Sequence, residues 1–415
     1  MKLRLFAASL GLALPLLAGC RSDESLNAPD LSNNNSLFER YVSMGNSITA
    51  GFQSGGINDS TQLQSYAVLL AGAAKAPFFV PLLAKPGCPA PFIVNTTNPP
   101  TRLGNTGATE CALRSAAALP YVSNVAVPGV TSFGVGSNES PAGGTNQLTQ
   151  FILGGRTQVK AMMDAQPTFV SAWIGNNDVL GSLTNSANPG NPALVSPETA
   201  FEANLTPIYD SIAKTGAKAI LIGVADVTVI PYASSGATYW CLKTGLCNGV
   251  PAAPFPPTFT VASNCAPMAT NIPGAKGDSV LVPWTVGVPK ISAAAAGAST
   301  TVDCSVDNEV VLPGEFKVMR DAVAGYNAFI SAQATAHNWA YVDPNPILLA
   351  YRADPAKIAP FPSLPTGPSQ PNVLFGSFFS LDGVHPSAAA HRVVADSLIA
   401  AINNKYGTTL PFVGP

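Results

Sequence analysis

The length and charge of the chain limit its class before any motif is considered. Its 415 residues are enough for one large α/β domain with insertions, or for two domains. With 21 Lys and Arg against 23 Asp and Glu, it has no basic run of the kind that binds nucleic acid. We therefore expect no nucleic acid partner. The 36 Gly and 38 Pro are typical of a globular exported protein with many irregular loops.

The first residues have the features of an export signal. Two basic residues precede an apolar run, Leu5 to Leu17, which is too short to span a bilayer and predicts a signal peptide over residues 1–19. The run ends in Leu-Ala-Gly-Cys, which resembles the lipobox of bacterial lipoproteins and implies a lipid on Cys20 that reaches the membrane. Polar residues 20–36 then predict a flexible tether. The alternative is an ordinary secretory signal with a chance cysteine. The predicted location is thus the bacterial cell envelope, with the outer membrane favoured, or the outside of the cell.

Short apolar runs alternate with longer amphipathic segments over the remaining residues, 37–415. This alternation predicts a parallel sheet with helices on both faces, in a single domain. The predicted strands are Tyr41–Met44, Ser123–Val127, Thr168–Ile174, Ala219–Val224 and Trp339–Val342. The predicted helices are 63–74, 145–164, 197–215, 314–336 and 386–403.

Two long stretches interrupt the alternation, at about 76–120 and 231–312. Each contains cysteines and is too long for a plain connection, so both are predicted to be ordered insertions on the rim of the sheet. If Cys20 carries lipid, six cysteines remain, and an even number in an exported chain predicts disulfides. They allow fifteen pairings, although pairing each cysteine with its neighbour would close three local loops. The neighbours are Cys88 and Cys111, Cys241 and Cys247, and Cys265 and Cys304.

A metal site is the alternative use of these cysteines. The chain has no Cys-x-x-Cys pair, and none of its three histidines lies near a cysteine in sequence. Zinc sites are built from such ligands, so we expect no metal.

Polar segments at the ends of predicted strands supply the groups of a serine hydrolase. Ser47 follows the first strand between glycines that permit a tight bend, and Asp382 and His385 near the C-terminus supply an orienting carboxylate and a base. Gly129 follows the second strand and Asn177 the third. Because the carboxyl ends of parallel strands share one crevice, these residues can converge there. The backbone N–H groups of Ser47 and Gly129 and the Asn177 amide would then stabilise an oxyanion.

These segments resemble the four sequence blocks of the SGNH hydrolases, also called GDSL lipases or esterases. The blocks are G-N-S with Ser47, N-x-A-x-x-G with Gly129, G-x-N-D with Asn177, and D-x-x-H-P with Asp382 and His385. The resemblance implies a flavodoxin-like, three-layer α/β/α fold and hydrolysis through Ser47 with His385 as general base. One departure is that Asn46 stands where the family has aspartate, and Ile48 where it has leucine. That aspartate is not a triad member, so the mechanism is expected to be intact.

Each block alone has a simpler explanation. A Gly-Asn-Ser after a strand is often only a turn, Gly175-Asn-Asn-Asp also suits a helix N-cap, and Gly129 suits a turn. Four blocks in family order at strand ends favour the catalytic interpretation. His337 and His391 are expected to be structural. Asp226 and Asp343 follow the fourth and fifth predicted strands and are candidates for the crevice, but the preferred interpretation is that they are polar loop residues.

We therefore expect a serine-dependent carboxylic ester hydrolase, an esterase or lipase that needs no cofactor. Its substrate would be a lipid, short-chain or acetylated-glycan ester. Two alternatives stay open: a carbohydrate O-deacetylase or acyltransferase with the same triad, and a binding lipoprotein that keeps the fold without the chemistry. The presence of all five site residues argues against the second alternative.

The insertion at 231–312 is rich in aromatic residues for a solvated loop. It follows the fourth predicted strand, so we expect it to overhang the crevice and to form an acyl-binding wall. The alternative is an insertion that packs away from the site. The aromatic residues are Trp240, Phe255, Phe259 and Trp284.

Overall fold

A computed structural model describes residues 36–95, 100–112, 114, 119–137, 146–247, 249–363 and 374–414. The predicted signal peptide, Cys20 and all but the last residue of the predicted tether lie outside these residues. Within them, no helix has both the length and the apolar character needed to cross a membrane.

A four-stranded parallel sheet, in the order β1-β4-β5-β10, forms the centre of the molecule. Its strands are buried on both faces and rich in apolar residues, as expected for a sheet covered by helices. The other strands form three two-stranded sheets, β2-β3, β6-β8 and β7-β9. The strands are β1 (Tyr41–Gly45), β2 (Phe92–Val94), β3 (Thr101–Arg102), β4 (Phe169–Trp173), β5 (Lys218–Ile222), β6 (Ala233–Ser235), β7 (Phe259–Val261), β8 (Leu281–Pro283), β9 (Thr300–Val302) and β10 (Ala340–Val342).

The predicted strand Ser123–Val127 lies along the free edge of β1 but forms only a single bridge, at Asn124. Its backbone pairs with β1 through Ser43 N to Ser123 O (2.8 Å) and Val125 N to Ser43 O (2.9 Å). It is irregular because the Asn124 side chain accepts a hydrogen bond from Ala126 N, which turns the chain locally. With this segment included, the five predicted strands lie in the spatial order 2-1-3-4-5, so the prediction of a flavodoxin-like fold is confirmed.

Helices cover both faces of the sheet and complete three layers. The helices are α1 (Ser47–Ala50), α2 (Asp59–Gln62), α3 (Tyr66–Ala73), α4 (Ser132–Ser137), α5 (Gln147–Leu153), α6 (Gln158–Ala165), α7 (Asn177–Thr184), α8 (Glu198–Lys214), α9 (Gly236–Thr244), α10 (Trp284–Ala295), α11 (Pro313–Ala336), α12 (Asn345–Arg352) and α13 (Ala388–Tyr406). Residues alternate along each strand between the two faces: Ala219 and Leu221 pack in one core with α6, α8 and α11, whereas Ile220 and Ile222 pack in the other with α3 and α13.

The single helix predicted over 145–164 is wrong, because the structure has two helices there, α5 and α6. Gly154 (φ 63°) and Gly155 (φ 81°) adopt left-handed conformations that end α5. Thr157 then caps α6, accepting a hydrogen bond from Lys160 N at 3.0 Å. The apolar periodicity continues across the break, which is why the sequence pattern predicts one helix.

Both long insertions are ordered where the structure describes them. The first contains the hairpin β2-β3 and the Cys88–Cys111 disulfide, and the second contains α9, α10 and a small core of its own. Of the fifteen pairings, the neighbour pairing is formed. The other two disulfides are Cys241–Cys247 and Cys265–Cys304.

His391 joins α13 to α3 inside the core, in agreement with its predicted structural role. Its imidazole is fully buried, and its Nδ1 accepts a hydrogen bond from Tyr66 N at 3.2 Å. Burial lowers the pKa of His391 to about 3, with a smaller contribution from His385. The folded protein therefore holds this imidazole neutral at any pH near 7.

We expect His391 to make the protein sensitive to acid. Below pH ~6.5 a histidine in the unfolded chain binds a proton, whereas folded His391 stays neutral until the pH approaches about 3. The contribution of His391 to the free energy of unfolding is therefore fully present above pH ~6.5 and is lost as the pH falls towards about 3. The slope is at most ~1.4 kcal/mol per pH unit. In urea unfolding between pH 7 and pH 4, His391→Gln should lose less stability on acidification than the wild type. The control is His337→Gln at the partly exposed end of α11. Parallel losses in His391→Gln and wild type would contradict the expectation.

Candidate active site

Ser47 begins the first turn after β1, and the backbone before it is tightly held. Gly45 N donates to Gln158 Oε1 at 2.9 Å, and Gln158 Nε2 donates to Gly45 O at 2.8 Å. Asn46 caps α1, since its Oδ1 accepts from Ile48 N at 3.1 Å. Asparagine and aspartate are equally good caps, which explains why the departure at Asn46 leaves the local structure intact.

Gly51 ends this short helix and keeps Ser47 at the surface of the crevice. Its backbone is left-handed (φ 87°), and its N–H donates to Ser47 O at 3.1 Å. A Cβ at this position would lie 2.6 Å from Gln62 Cα, so only glycine fits. The serine is 7% exposed, and it lies where the carboxyl edge of the sheet opens.

His385 lies between Ser47 and Asp382. The Nε2 of His385 is 2.9 Å from Ser47 Oγ, and its Nδ1 is 2.8 Å from Asp382 Oδ2. The Phe52 ring packs against the imidazole, with centroids 4.9 Å apart. The structure thus brings the three residues of the predicted triad into one chain of hydrogen bonds, although 338 positions separate Ser47 and His385 in sequence.

Asp382 is buried but ionised. Its Oδ1 accepts from the backbone N–H groups of Val384 and His385, both at 2.9 Å, and its Oδ2 accepts from Gly55 N at 2.6 Å. Burial alone would raise the pKa of this carboxyl. The adjacent His385 and the hydrogen bonds outweigh burial and hold the pKa at about 2. A carboxylate of this kind fixes the orientation of the imidazole and stabilises its protonated form.

Ser54, Ser380 and Arg102, which the sequence analysis missed, hold the Asp382 loop in place. Ser54 N donates to Ser380 Oγ at 2.8 Å, and Leu381 N donates to Ser54 Oγ at 3.1 Å. Arg102, in the first insertion, donates to Gly55 O at 2.8 Å, beside the N–H that binds Asp382. No periodicity or motif links these segments, because Ser54 and Ser380 are 326 positions apart. Their only sequence signal is the Ser-Gly-Gly turn itself.

Gly129 and Asn177 lie on neighbouring loops that are tied together. Asn177 Nδ2 donates to Val130 O at 2.8 Å, and Gly129 has a left-handed backbone (φ 79°) that favours glycine. Within the described residues, no acceptor takes the backbone N–H of Ser47 or of Gly129. Both N–H groups, and the second hydrogen of the Asn177 amide, are therefore available to a ligand.

The side chain of Asp178 connects the Asn177 loop to the segment that follows Gly129. Its carboxylate accepts from Ser132 N (2.8 Å), Ser132 Oγ (2.6 Å) and Ser196 Oγ (2.9 Å). Burial raises the pKa of Asp178, and these hydrogen bonds lower it in part. Since Asp178 directly follows Asn177, this cluster fixes the start of α7 against the start of α4.

Two adjoining cavities lie at the site, and their linings correct one prediction. A cleft of about 30 Å³ contains Ser47, Asn177 and His385, and an apolar cavity of about 110 Å³ lies beside it. The predicted acyl-binding wall of Trp240, Phe255, Phe259 and Trp284 lines neither of them. Trp240 and Phe259 are buried in the core of the insertion, with Phe255 packed on it, around the two disulfides. The insertion thus buries these three side chains in a core of its own, whereas Trp284 is partly buried against the main core, with its ring centroid 5.9 Å from that of Phe375.

Asp226 and Asp343 are loop residues, as predicted. Asp226 Oδ1 accepts from Thr228 N at 2.9 Å, and Asp343 Oδ1 accepts from Asn345 N at 3.0 Å. His337 stacks on the Trp339 ring, with centroids 4.4 Å apart. Among the described residues, no group of three His, Cys, Asp or Glu side chains is arranged to hold a metal ion.

The Asp178 cluster predicts a large loss of stability on substitution. Asp178→Ala leaves the N–H and hydroxyl of buried Ser132 and the hydroxyl of partly buried Ser196 without this acceptor, which should lower the free energy of unfolding by about 2–4 kcal/mol. Asp210→Ala, at an exposed position on α8, is the matched control and should change it by less than ~0.5 kcal/mol. Denaturant unfolding measures both. Equal effects of the two substitutions would show that Asp178 does not hold these loops.

The chain resembles several solved structures at low sequence identity. It is 13% identical to a catalytic mutant of Axe2, an acetylxylan esterase from Geobacillus stearothermophilus, over 90% of this chain and 95% of that one, with a TM-score of 0.38. It is 13% identical to an extracellular lipase from Streptomyces rimosus, over 88% and 98% of the two chains, with a TM-score of 0.37. No curated protein matches it.

The family model described as GDSL-like lipase/acylhydrolase matches residues 41–398. This range is most of the chain, and it includes Ser47, Gly129, Asn177, Asp382 and His385. The family resemblance of the four sequence blocks is therefore confirmed. The chain belongs to the GDSL-like lipase/acylhydrolase family and is a carboxylic ester hydrolase.

Proposed function

We propose that the protein hydrolyses esters through a Ser47-His385-Asp382 triad and a covalent acyl-enzyme. The continuous chain of hydrogen bonds from Ser47 Oγ to Asp382, at 2.9 Å and 2.8 Å, carries this proposal. Ser47 Oγ attacks the ester carbonyl carbon while His385 Nε2 takes its proton. His385 then protonates the departing alcohol. A water molecule then gives a proton to His385 and attacks the acyl carbonyl carbon, and His385 returns that proton to Ser47 Oγ as the bond between Oγ and the acyl carbon breaks and the acid is released.

The oxyanion formed in both attacks needs donors that are already in place. The unpaired N–H groups of Ser47 and Gly129 and the Asn177 amide are the proposed donors. Each donor of this kind lowers the barrier by ~3 kcal/mol in enzymes where it has been removed by mutation. The hydrogen bond from Asn177 to Val130 and the Asp178 cluster support this set by fixing the loops before substrate binds.

The triad predicts a graded series of activities on a short p-nitrophenyl ester. Ser47→Ala and His385→Ala should each lower kcat by about 10⁴-fold or more, because triad members act as a unit. Asp382→Asn should leave slightly more activity, since the carboxylate orients the imidazole and does not react. Ser186→Ala, at an exposed serine, is the control and should retain wild-type kcat. Substantial hydrolysis by purified, folded Ser47→Ala protein would contradict the assignment of the nucleophile.

We further propose that residues 37–415 are a single catalytic domain, exported and tethered to the cell envelope by lipid on Cys20. The charge and apolar pattern of residues 1–19 and the Leu-Ala-Gly-Cys sequence support this proposal. The three disulfides also suit an oxidising compartment outside the cytoplasm.

Lipid attachment can be tested apart from catalysis. In a bacterial host given labelled palmitate, the wild type should incorporate label and fractionate with membranes, whereas Cys20→Ser should do neither and keep its esterase activity. Activity should persist because the tether places the anchor outside the catalytic residues. A mature protein that still carries residues 1–19 with unmodified Cys20 would exclude the anchor.

A further inference from the structure

The apolar cavity beside the triad is built on the carboxyl edge of the central sheet. Three strands end in it: Trp173 is the last residue of β4, Ile222 of β5 and Val342 of β10. The helices α12 and α13 form its sides. Open α/β sheets bind their ligands at this edge, so the cavity has the position of a binding site.

The cavity and the triad cleft share part of their lining. Ile48, Ala225, Ile230 and Val384 line both. Ile48 directly follows Ser47 in the sequence, and Val384 directly precedes His385. The acyl chain of an ester whose carbonyl lies at Ser47 can therefore extend into the cavity. It passes Ile48 and Val384, which are the sequence neighbours of the nucleophile and the base.

The lining of the cavity suits a hydrocarbon chain and not a sugar. Among the described residues that line it, the polar side chains are Ser397, Tyr351 and Trp173. The Ser397 hydroxyl donates to Val393 O at 2.7 Å, and the Trp173 indole N–H is buried without a hydrogen-bond partner in the described part of the chain. On α12, Leu348 and Tyr351 line the cavity while Leu349 is 54% exposed on the outer face. A cavity that offers so little polar surface stays dry and gains free energy by taking up apolar groups.

We propose that this cavity binds the acyl chain of the substrate, so that the enzyme prefers esters of medium-chain fatty acids over acetyl esters. The inference rests on the proposed triad, since the chain must enter from a carbonyl held at Ser47. The volume is about 110 Å³, and since an apolar cavity of ~150 Å³ accommodates the six carbons of benzene, this cavity takes roughly four to five carbons beyond the carbonyl carbon held at Ser47, which is about the length of a hexanoyl chain.

The first experiment measures kcat/KM for p-nitrophenyl esters from acetate to decanoate. Each methylene that enters the cavity should raise kcat/KM by roughly fourfold, with a plateau near six carbons. Ala390→Leu, on the cavity face of α13, should lower the hexanoate-to-acetate ratio at least ~tenfold by filling the cavity. Ala389→Leu makes the same change at the exposed neighbouring position and should leave the ratio at its wild-type value.

Leu348→Ala supplies the opposite change on α12. It enlarges the cavity and should move the plateau to longer chains, which keeps the proposal testable if Ala390→Leu does not fold. A flat profile from acetate to decanoate in active wild type, or equal ratios in Ala390→Leu and Ala389→Leu, would overturn the acyl site while leaving the triad in place.

A binding experiment separates this inference from the proposed function. Hexanoate should bind to Ser47→Ala protein and change its tryptophan fluorescence, because Trp173 lines the cavity, and the binding should weaken in the Ser47→Ala/Ala390→Leu double variant. If no ester is hydrolysed but hexanoate binds in this way, the proposed function is wrong and the apolar site stands. If esters are hydrolysed and hexanoate fails to bind, the acyl site is wrong.

Discussion

The buried, ionised carboxylate of Asp382 determines how the loop that carries it packs against the segment that follows Ser47. The Asp382 carboxylate stays ionised in the interior because donors surround it: N–H groups and the Ser380 hydroxyl of its own loop, the N–H of Gly55 and the imidazole of His385. Gly55 belongs to the segment that follows the nucleophile turn. Satisfying this carboxylate therefore pins the C-terminal loop beside Ser47, and the geometry of the site follows from that requirement.

Local patterns were sufficient to predict the central sheet and the edge of the sheet at which the proposed site residues lie. The strands around Val42, Val170 and Ile220 are short and apolar, and burial on both faces leaves them little alternative. Ser47 and Asn177 each follow such a strand directly, so the sequence predicts their common edge. The triad geometry and the strand order agree with this prediction because the chemistry sits next to elements that periodicity identifies well.

Contacts between distant segments could not be predicted from periodicity. The support that Ser54 and Arg102 give to the Asp382 loop joins three separate parts of the chain, and no single part carries a signal of it. The aromatic residues of the second insertion led to a wrong prediction for a related reason. Composition indicates that Trp240 and Phe259 will be buried, but not whether they pack against the active-site crevice or against their own disulfides.

The docking of α13 has a consequence for biosynthesis. Ser47 is synthesised 338 residues before His385. The loop that carries Asp382 is held by α13, whose N-cap Ser387 donates its N–H to Phe378 O at 2.9 Å, and through Gly55 by Arg102 of the first insertion. On the proposed triad, a nascent chain or a fragment that ends before residue 385 has a nucleophile without a base. Hydrolytic competence thus arises only after residue 385 has been synthesised and its loop has docked beside Ser47, so the folding of that loop is the step that activates the nucleophile.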